Sequence, residues 1–476
     1  MTIRFPQRAP SFRAGASLLG FCLTVIGLPA MAAPVEAQEL PSNAEIQALI
    51  DARVESGGAV GIALGVVESD GTTRTFFSGT TGDPAIPLDA STVFEIGSIT
   101  KVFTGTLLAD MARRGEVSVD DPLGMYLPDG VDAPSREDGE ITLETLATHR
   151  SGLPRLPTNL APADMSNPYV DYTEEMLYDF LSSYQLTRAV DARAEYSNLG
   201  AGLLGFVLAR HLGLSYEEAV RERILAPLGM DRTSIRLSPD MRATLSLGHN
   251  PGGVAVPLWD VGTLAGAGGL RSDLDDMLRF MQASLGPATS DVERSLRAAH
   301  EVRADMAQGM EIGLHWLTQT TDGQRTVWHN GGTAGFRTFA GFDPDRDVAV
   351  VVLTNSALGA DDIGFHLLNP ERPLNPPPVP AFALREAIEI SDAVLDRYVG
   401  RYRLGPQLVA TFERGDGFLT SQLTGQPPVR AYPATETRFF LRAVEAEIDF
   451  EFDDVGEVVA MVLNQSGRTL RGERIR

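Results

Sequence analysis

A mixed α/β (α+β) domain followed by a small antiparallel β-barrel is the expected fold of this 476-residue chain. Its length exceeds what one compact core usually holds, so two folded units are expected. Helical and strand patterns mix up to about residue 368, and short alternating strands take over beyond a proline-rich stretch.

The N-terminal 32 residues carry Arg4, Arg8 and Arg13, then an apolar run from Ala14 to Ala30 and the small-residue stretch Ala30-Met31-Ala32. That is the pattern of a secretory signal peptide covering residues 1–32, and Pro29 interrupts the run before it could serve as an anchor. The single cysteine, Cys22, lies inside this segment, and bulky Phe21 before it speaks against lipidation. A mature chain without disulfides, periplasmic or secreted, is expected. No later stretch approaches the roughly 20 apolar residues a membrane span needs.

The segment 40–368 opens on a helical period in IQALIDARVES, and GIALGVVES followed by TTRTFFSGT reads as two adjacent strands. A second helix is expected from Ser98 to about Arg114. From Trp328 to Asn355 two apolar runs flank Asp343-Pro344-Asp345, which marks a hairpin whose aspartates are read as a solvated turn. Residues 369–385, dense in proline, read as a linker, because proline cannot donate to a ladder and favours extended chain. In 386–476 short strands alternate with glycine turns. There Ile448, Phe450 and Phe452 interleave with Glu447, Asp449 and Glu451, as in a strand with one buried face.

The formal net charge of −23 falls to −26 once the first three arginines are cleaved away, which sets nucleic-acid binding aside. Among 40 basic residues 39 are arginine, and the one lysine is Lys101. Arginine does not give up its proton in a protein, so a lysine kept at one place suggests chemistry that needs an amine. Ser98 stands three residues earlier, on the same helix face and near the helix N-terminus, where developing negative charge is favoured. A capping serine with an exposed lysine one turn on is the plainer explanation. No G-x-S-x-G elbow, H-E-x-x-H pair or phosphate loop competes, and the seven histidines are scattered; no metal and no cofactor are implied.

At Ser98-Ile99-Thr100-Lys101 the chain resembles the S-x-x-K serine hydrolases, the class C β-lactamases and penicillin-binding proteins with their peptidase and esterase relatives. Tyr196-Ser197-Asn198 is similar to the family's Y-x-N element, and His329-Asn330-Gly331-Gly332 to its third element, K-T-G or H-x-G, here at the start of an expected strand. THRSGLP from Thr148, APLGMDRTS from Ala226 and AGAGGLRS from Ala265 look familial too and are taken as scaffold, His149 included.

The resemblance implies a large antiparallel sheet with helices on both faces and a helical subdomain. It implies Ser98 as nucleophile, Lys101 as base and Tyr196 as second proton carrier. Asn198 would meet substrate or Lys101, the N–H groups of Ser98 and Gly332 would form an oxyanion hole, and Gly331 would leave room for substrate backbone. His329 departs from the lysine of β-lactamases and removes a fixed charge for a substrate carboxylate, a task for which Arg337 is the alternative, although a structural role suits Arg337 better. The region from Tyr398 (YVGRYRL) is similar to lipocalin-like C-terminal domains attached to such hydrolases.

The expected function is therefore hydrolysis of a small-molecule or peptide substrate (D-amino-acid peptides, β-lactams or small esters) through an acyl-enzyme. A sensor that acylates with little turnover and a non-catalytic binding protein are the alternatives. Oligomeric state is left open.

Overall fold

Ser42 and Glu45 open the first helix, α1 (Asn43–Glu55), by exchanging hydrogen bonds in a capping box. The structure, a computed structural model, describes residues 40–476 apart from 137, 138, 377, 407, 425, 427, 466 and 476, so the expected signal peptide lies outside the described residues. The strands expected after α1 are β1 (Gly61–Val67) and β2 (Thr73–Gly79), paired antiparallel with Gly61 opposite Gly79.

Six later strands complete their sheet: β3 (Ala304–Asp305), β4 (Met310–Ile312), β5 (Leu317–Thr321), β6 (Gln324–Gly332), β7 (Arg337–Asp343) and β8 (Val348–Thr354). The order across the sheet is β2-β1-β8-β7-β6-β5-β4-β3, antiparallel throughout, so the earliest strands join the latest along β1 and β8.

β1 and β8 are buried along their whole length. Successive side chains of a strand face opposite ways, and here they feed two cores. Ala63, Val67, Ala349, Val351 and Leu353 join the larger core, with α2 (Thr100–Arg113), α4 (Leu274–Ala283) and α5 (Asp291–His300) on one face. Ile62, Leu64, Val66, Val350 and Val352 join a smaller core under α1 and α6 (Asp361–Leu368) on the other. The long helix α3 (Asn198–Leu212) belongs to the helical region that extends the larger core. Helices on both faces of an antiparallel sheet are what the motifs implied.

Two local expectations need correction. His329 does not begin a strand but lies within β6, which starts at Gln324. Asp343 is not solvated: it is 1% exposed, its Oδ1 accepts from the Asp345 and Arg346 N–H groups, and its Oδ2 accepts from the Gln324 amide. A tight turn uses the aspartate as a substitute backbone acceptor, which draws it inward.

Residues 369–391 hold turns but, among the described residues, no helix or strand. Beyond them β9 (Gly400–Arg403), β10 (Val409–Arg414), β11 (Leu419–Leu423), β12 (Val429–Pro433), β13 (Arg438–Leu441), β14 (Ala446–Phe452), β15 (Val458–Gln465) and β16 (Arg468–Ile475) form a closed barrel in chain order. Pairing of Arg401 with Ile475 closes it, so no sheet edge is left open. Ile448 and Phe450 point inward as their alternation required, while Asp449 sits outside against Arg438 at 2.6 Å. Tyr398, Tyr402, Phe412, Phe439 and Phe450 fill one end of the interior, with Tyr398 stacked on Phe450 at 4.3 Å.

Candidate active site

Gly97–Ile99 form a single tight 3₁₀ turn that runs directly into α2, which places Ser98 at the start of that helix and Lys101 one turn along it. Lys101 is fully buried. Its Nζ lies 2.9 Å from Ser98 Oγ and 2.6 Å from the Ala267 carbonyl oxygen, on a segment far away in the chain. Among the described residues no carboxylate pairs with it. A buried ammonium without a counter-charge favours losing its proton. Burial first, and the positive charge of Arg155 second, hold Lys101 well below the usual lysine range. A neutral amine keeps N–H groups for the Ala267 carbonyl and a lone pair for the Ser98 hydroxyl.

Tyr196 closes the other side. Burial pushes its phenol up to about 12, against the opposing influence of the Ser98 hydroxyl, so the ring remains protonated at neutral pH. Lys101 Nζ stands 5.0 Å from the ring centroid. The tyrosine is held where α3 begins: Ser197 caps the helix by accepting from the Gly200 N–H at 2.8 Å and donates to the Pro154 carbonyl at 2.7 Å. The cap that Ser197 provides is what fixes Tyr196 at the entrance to α3.

His149, read as scaffold, grips the same turn from behind. Its backbone is left-handed (φ 58°), its carbonyl accepts from the Glu195 N–H at 2.8 Å, and its Nδ1 accepts from the Ser197 N–H at 3.3 Å. Its ring lies 4.5 Å from Tyr196 and 5.1 Å from His315. Burial, together with neighbouring positive charge, keeps both imidazoles well below the usual histidine range. His329 is 1% exposed, with its ring 6.3 Å from Tyr196, and burial next to Lys101 pulls it down to about 3. All three rings are therefore neutral at physiological pH, and His329 supplies no fixed cation.

Gly332 and Thr333, at the end of β6, line a pocket with Ser98, Asn198, Tyr169 and Trp259. The Gly332 backbone packs against Gly97, so its N–H comes alongside the serine turn. Gly331 plays a different part from the one expected. A Cβ there would sit 2.0 Å from the Ile96 carbonyl oxygen and 2.2 Å from Thr338 Oγ1, so the space beside it is taken by the chain itself and not left for substrate. Gly331→Ala should therefore cost about 1–3 kcal/mol of stability, read from denaturant unfolding; a cost near zero would show that the turn does not need this approach. Arg337 braces the same loop, donating to the Thr333 and Phe336 carbonyls at 2.6 and 2.9 Å, which is the structural role.

Asn198 presents a buried side-chain oxygen with no partner. Tyr169 and Trp259 pack edge to face at 5.4 Å across the pocket. Neither aromatic was singled out in the sequence; both lie outside regular elements and carry no motif. Arg155 is exposed, its guanidinium carbon 5.2 Å from the Tyr196 ring, with no carboxylate partner among the described residues. Among those residues no group of three or more His, Cys, Asp or Glu is arranged to hold a metal ion, and no single helix is long and apolar enough to cross a membrane.

Comparison with known proteins decides the family. The beta-lactamase family model matches residues 46–366. The chain belongs to the beta-lactamase family. It is a serine hydrolase of that family, and a second model, described as a domain of unknown function, matches residues 384–474 over the barrel. Among curated proteins, the D-alanyl-D-alanine-carboxypeptidase/endopeptidase AmpH of Escherichia coli is 33% identical over 323 residues, covering 63% of this chain and 81% of that one. A beta-lactamase of Escherichia coli is 28% identical over 304 residues, covering 56% and 77%. Among solved structures, a class C beta lactamase from Rhodobacter sphaeroides superposes with a TM-score of 0.58 at 27% identity, covering 66% of this chain and 94% of that one. The closed eight-stranded barrel fits the lipocalin-like domain that the C-terminal motifs implied.

Proposed function

We propose that this beta-lactamase-family protein is an exported hydrolase that cleaves amide or ester bonds through an acyl-enzyme on Ser98, with D-amino-acid peptides, β-lactams or small esters as substrates. The observation that carries this reading is the contact between a fully buried, carboxylate-free lysine and a serine hydroxyl at 2.9 Å. The relatives named for β-lactam and D-alanyl-D-alanine hydrolysis support the substrate classes. The signal-peptide pattern of residues 1–32 supports export to the periplasm or beyond.

In this mechanism Lys101 takes the hydroxyl proton as Ser98 Oγ bonds to the substrate carbonyl carbon. The oxygen that gains charge faces the N–H groups of Ser98 and Gly332, and one such donor is typically worth about 3 kcal/mol. Tyr196, protonated at rest, gives its proton to the leaving nitrogen or oxygen and is reprotonated from Lys101. The C–N or C–O bond then breaks. Water next attacks the ester carbonyl, loses a proton to the same pair and releases Ser98. The free Asn198 oxygen accepts from a substrate amide N–H, and because His329 is neutral, a substrate carboxylate must find its cation elsewhere.

Arg155, exposed with its guanidinium carbon 5.2 Å from the Tyr196 ring, is the candidate. Arg155→Ala should raise KM for carboxylate-bearing substrates about tenfold. It should also move the acidic limb of kcat/KM to higher pH, because removing a positive charge lets the Lys101 proton bind more tightly. An unchanged limb would show that Arg155 does not act on Lys101.

The test of the whole reading is a panel of nitrocefin, D-alanyl-D-alanine peptides and p-nitrophenyl esters, with intact-mass and peptide mapping of adducts. Turnover with a transient adduct on the Ser98 peptide is expected. A stable adduct without turnover would replace the hydrolase by a sensor, and neither adduct nor turnover on any substrate would overturn the proposal.

A further inference from the structure

The barrel is filled at only one end. Its aromatic residues occupy the half around Tyr398 and Phe450, whereas the inward positions toward the other mouth (Leu423, Val429, Leu441, Ile448, Met461 and Leu463) surround a cavity of about 260 Å³. The hairpin at residues 248–256 of the hydrolase region covers that mouth and adds Val254 and Val256 to the wall. It is seated tightly, since a Cβ on Gly252 would lie 1.4 Å from the Arg442 carbonyl oxygen.

No ionisable side chain is among the described residues that line the cavity. A carboxylate buried here would meet no partner, while an aliphatic chain would bury its surface against the Leu, Val, Ile and Met walls. The polar atoms present are neutral ones, on Ser166, Asn250, Ser421, Gln426 and Gln465, suited to a hydroxyl or ester head.

Two chain segments line both this cavity and the Ser98 pocket. One contributes Ser166 to the cavity and Tyr169 to the pocket; the other contributes Pro257 to the cavity and Trp259 and Val261 to the pocket. They are tied together between the two by a reciprocal pair, Asn167 Nδ2 donating to Asp260 at 3.0 Å and the Asp260 N–H donating to Asn167 Oδ1 at 2.8 Å. The same two segments carry Tyr169 and Trp259, whose rings meet edge to face at 5.4 Å.

We propose that the hollow half of the barrel binds one uncharged aliphatic ligand, an alkyl or acyl chain with a neutral polar head, and that its occupancy is felt at the Ser98 pocket through these two segments. The ligand site does not depend on the hydrolytic reading; only the effect on acylation rests on it.

The probes are Nile red and 1-decanol on the full-length protein. Saturable Nile red binding displaced by 1-decanol is expected, but not by decanoate at equal concentration. Leu423→Trp and Leu463→Trp, which fill the cavity from opposite walls, should each weaken dye binding about tenfold or more. Because a filling variant could instead unfold the barrel, an aliphatic diazirine alcohol provides a variant-free check, its label mapping to residues 421–465 and 254–257. Decanol should also shift the emission of Trp259, a change missing in Trp259→Phe and visible whether or not the enzyme turns over. Unsaturable binding, or label scattered over the surface, would overturn the site. Saturable binding with Trp259 emission unmoved would overturn the coupling.

Discussion

Lys101→Met should lower kcat/KM about 10⁴-fold while making the protein more stable. Among the described residues the amine is the one group hydrogen-bonded to Ser98 that can accept a proton and return it at neutral pH, since Tyr196 is held protonated and the three neighbouring imidazoles are held neutral and make no hydrogen bond to the hydroxyl. Methionine matches the length and apolar stem of lysine but carries no basic nitrogen.

Stability moves the other way because the folded chain keeps this lysine where its ammonium is disfavoured. The unfolded state, with lysine near its reference value of about 10.4, binds the proton more readily than the native state, so the penalty is fully present below the native pKa. It shrinks as pH rises toward that reference and vanishes above it. Lys101→Met should therefore gain about 1–3 kcal/mol at pH 7 and progressively less at higher pH, in denaturant melts run across the range. A uniform loss of stability would mean that the hydrogen bond to the Ala267 carbonyl outweighs desolvation.

Ser98→Ala should remove all covalent adduct and lower kcat/KM by about 10⁵-fold or more, with substrate binding nearly unchanged. In the proposed mechanism the hydroxyl contributes the bond-forming atom, whereas the rest of the substrate would rest on the pocket walls at Trp259, Val261, Leu264 and Asn198. Neither the backbone N–H of residue 98 nor that of Gly332 is touched by the substitution, so residual turnover should come from the oxyanion site alone. Equal losses in binding and in turnover would assign Ser98 to recognition and not to attack.

The Ser98–Lys101 contact could be seen in the sequence because its geometry is local. An i, i+3 spacing on a helix puts two side chains on one face, and a lone lysine among 39 arginines marks which pair to trust. The barrel showed itself in the same way, through the two-residue period of Ile448 and Phe450. What stayed hidden depends on contacts distant in sequence or on loops. The Ala267 carbonyl that holds Lys101 is 166 residues away from it. His315, Tyr169 and Trp259 lie outside regular elements, and the left-handed turn at His149 leaves no pattern in a histidine-containing motif. Gly331 misled because a glycine beside a catalytic strand suggests room for substrate, and only the fold reveals that the Ile96 carbonyl occupies the room.

The pre-steady-state acylation rate of Lys101→Arg, followed by mass spectrometry with near-UV circular dichroism to verify the fold, tests the central claim most directly. Arginine keeps a positive charge near the same site but cannot surrender its proton. If Lys101 works as a neutral amine, acylation should fall about 10³-fold or more in a folded protein. A rate within a few-fold of the parent would show that charge alone suffices, and Lys101 could not then be the base that activates Ser98.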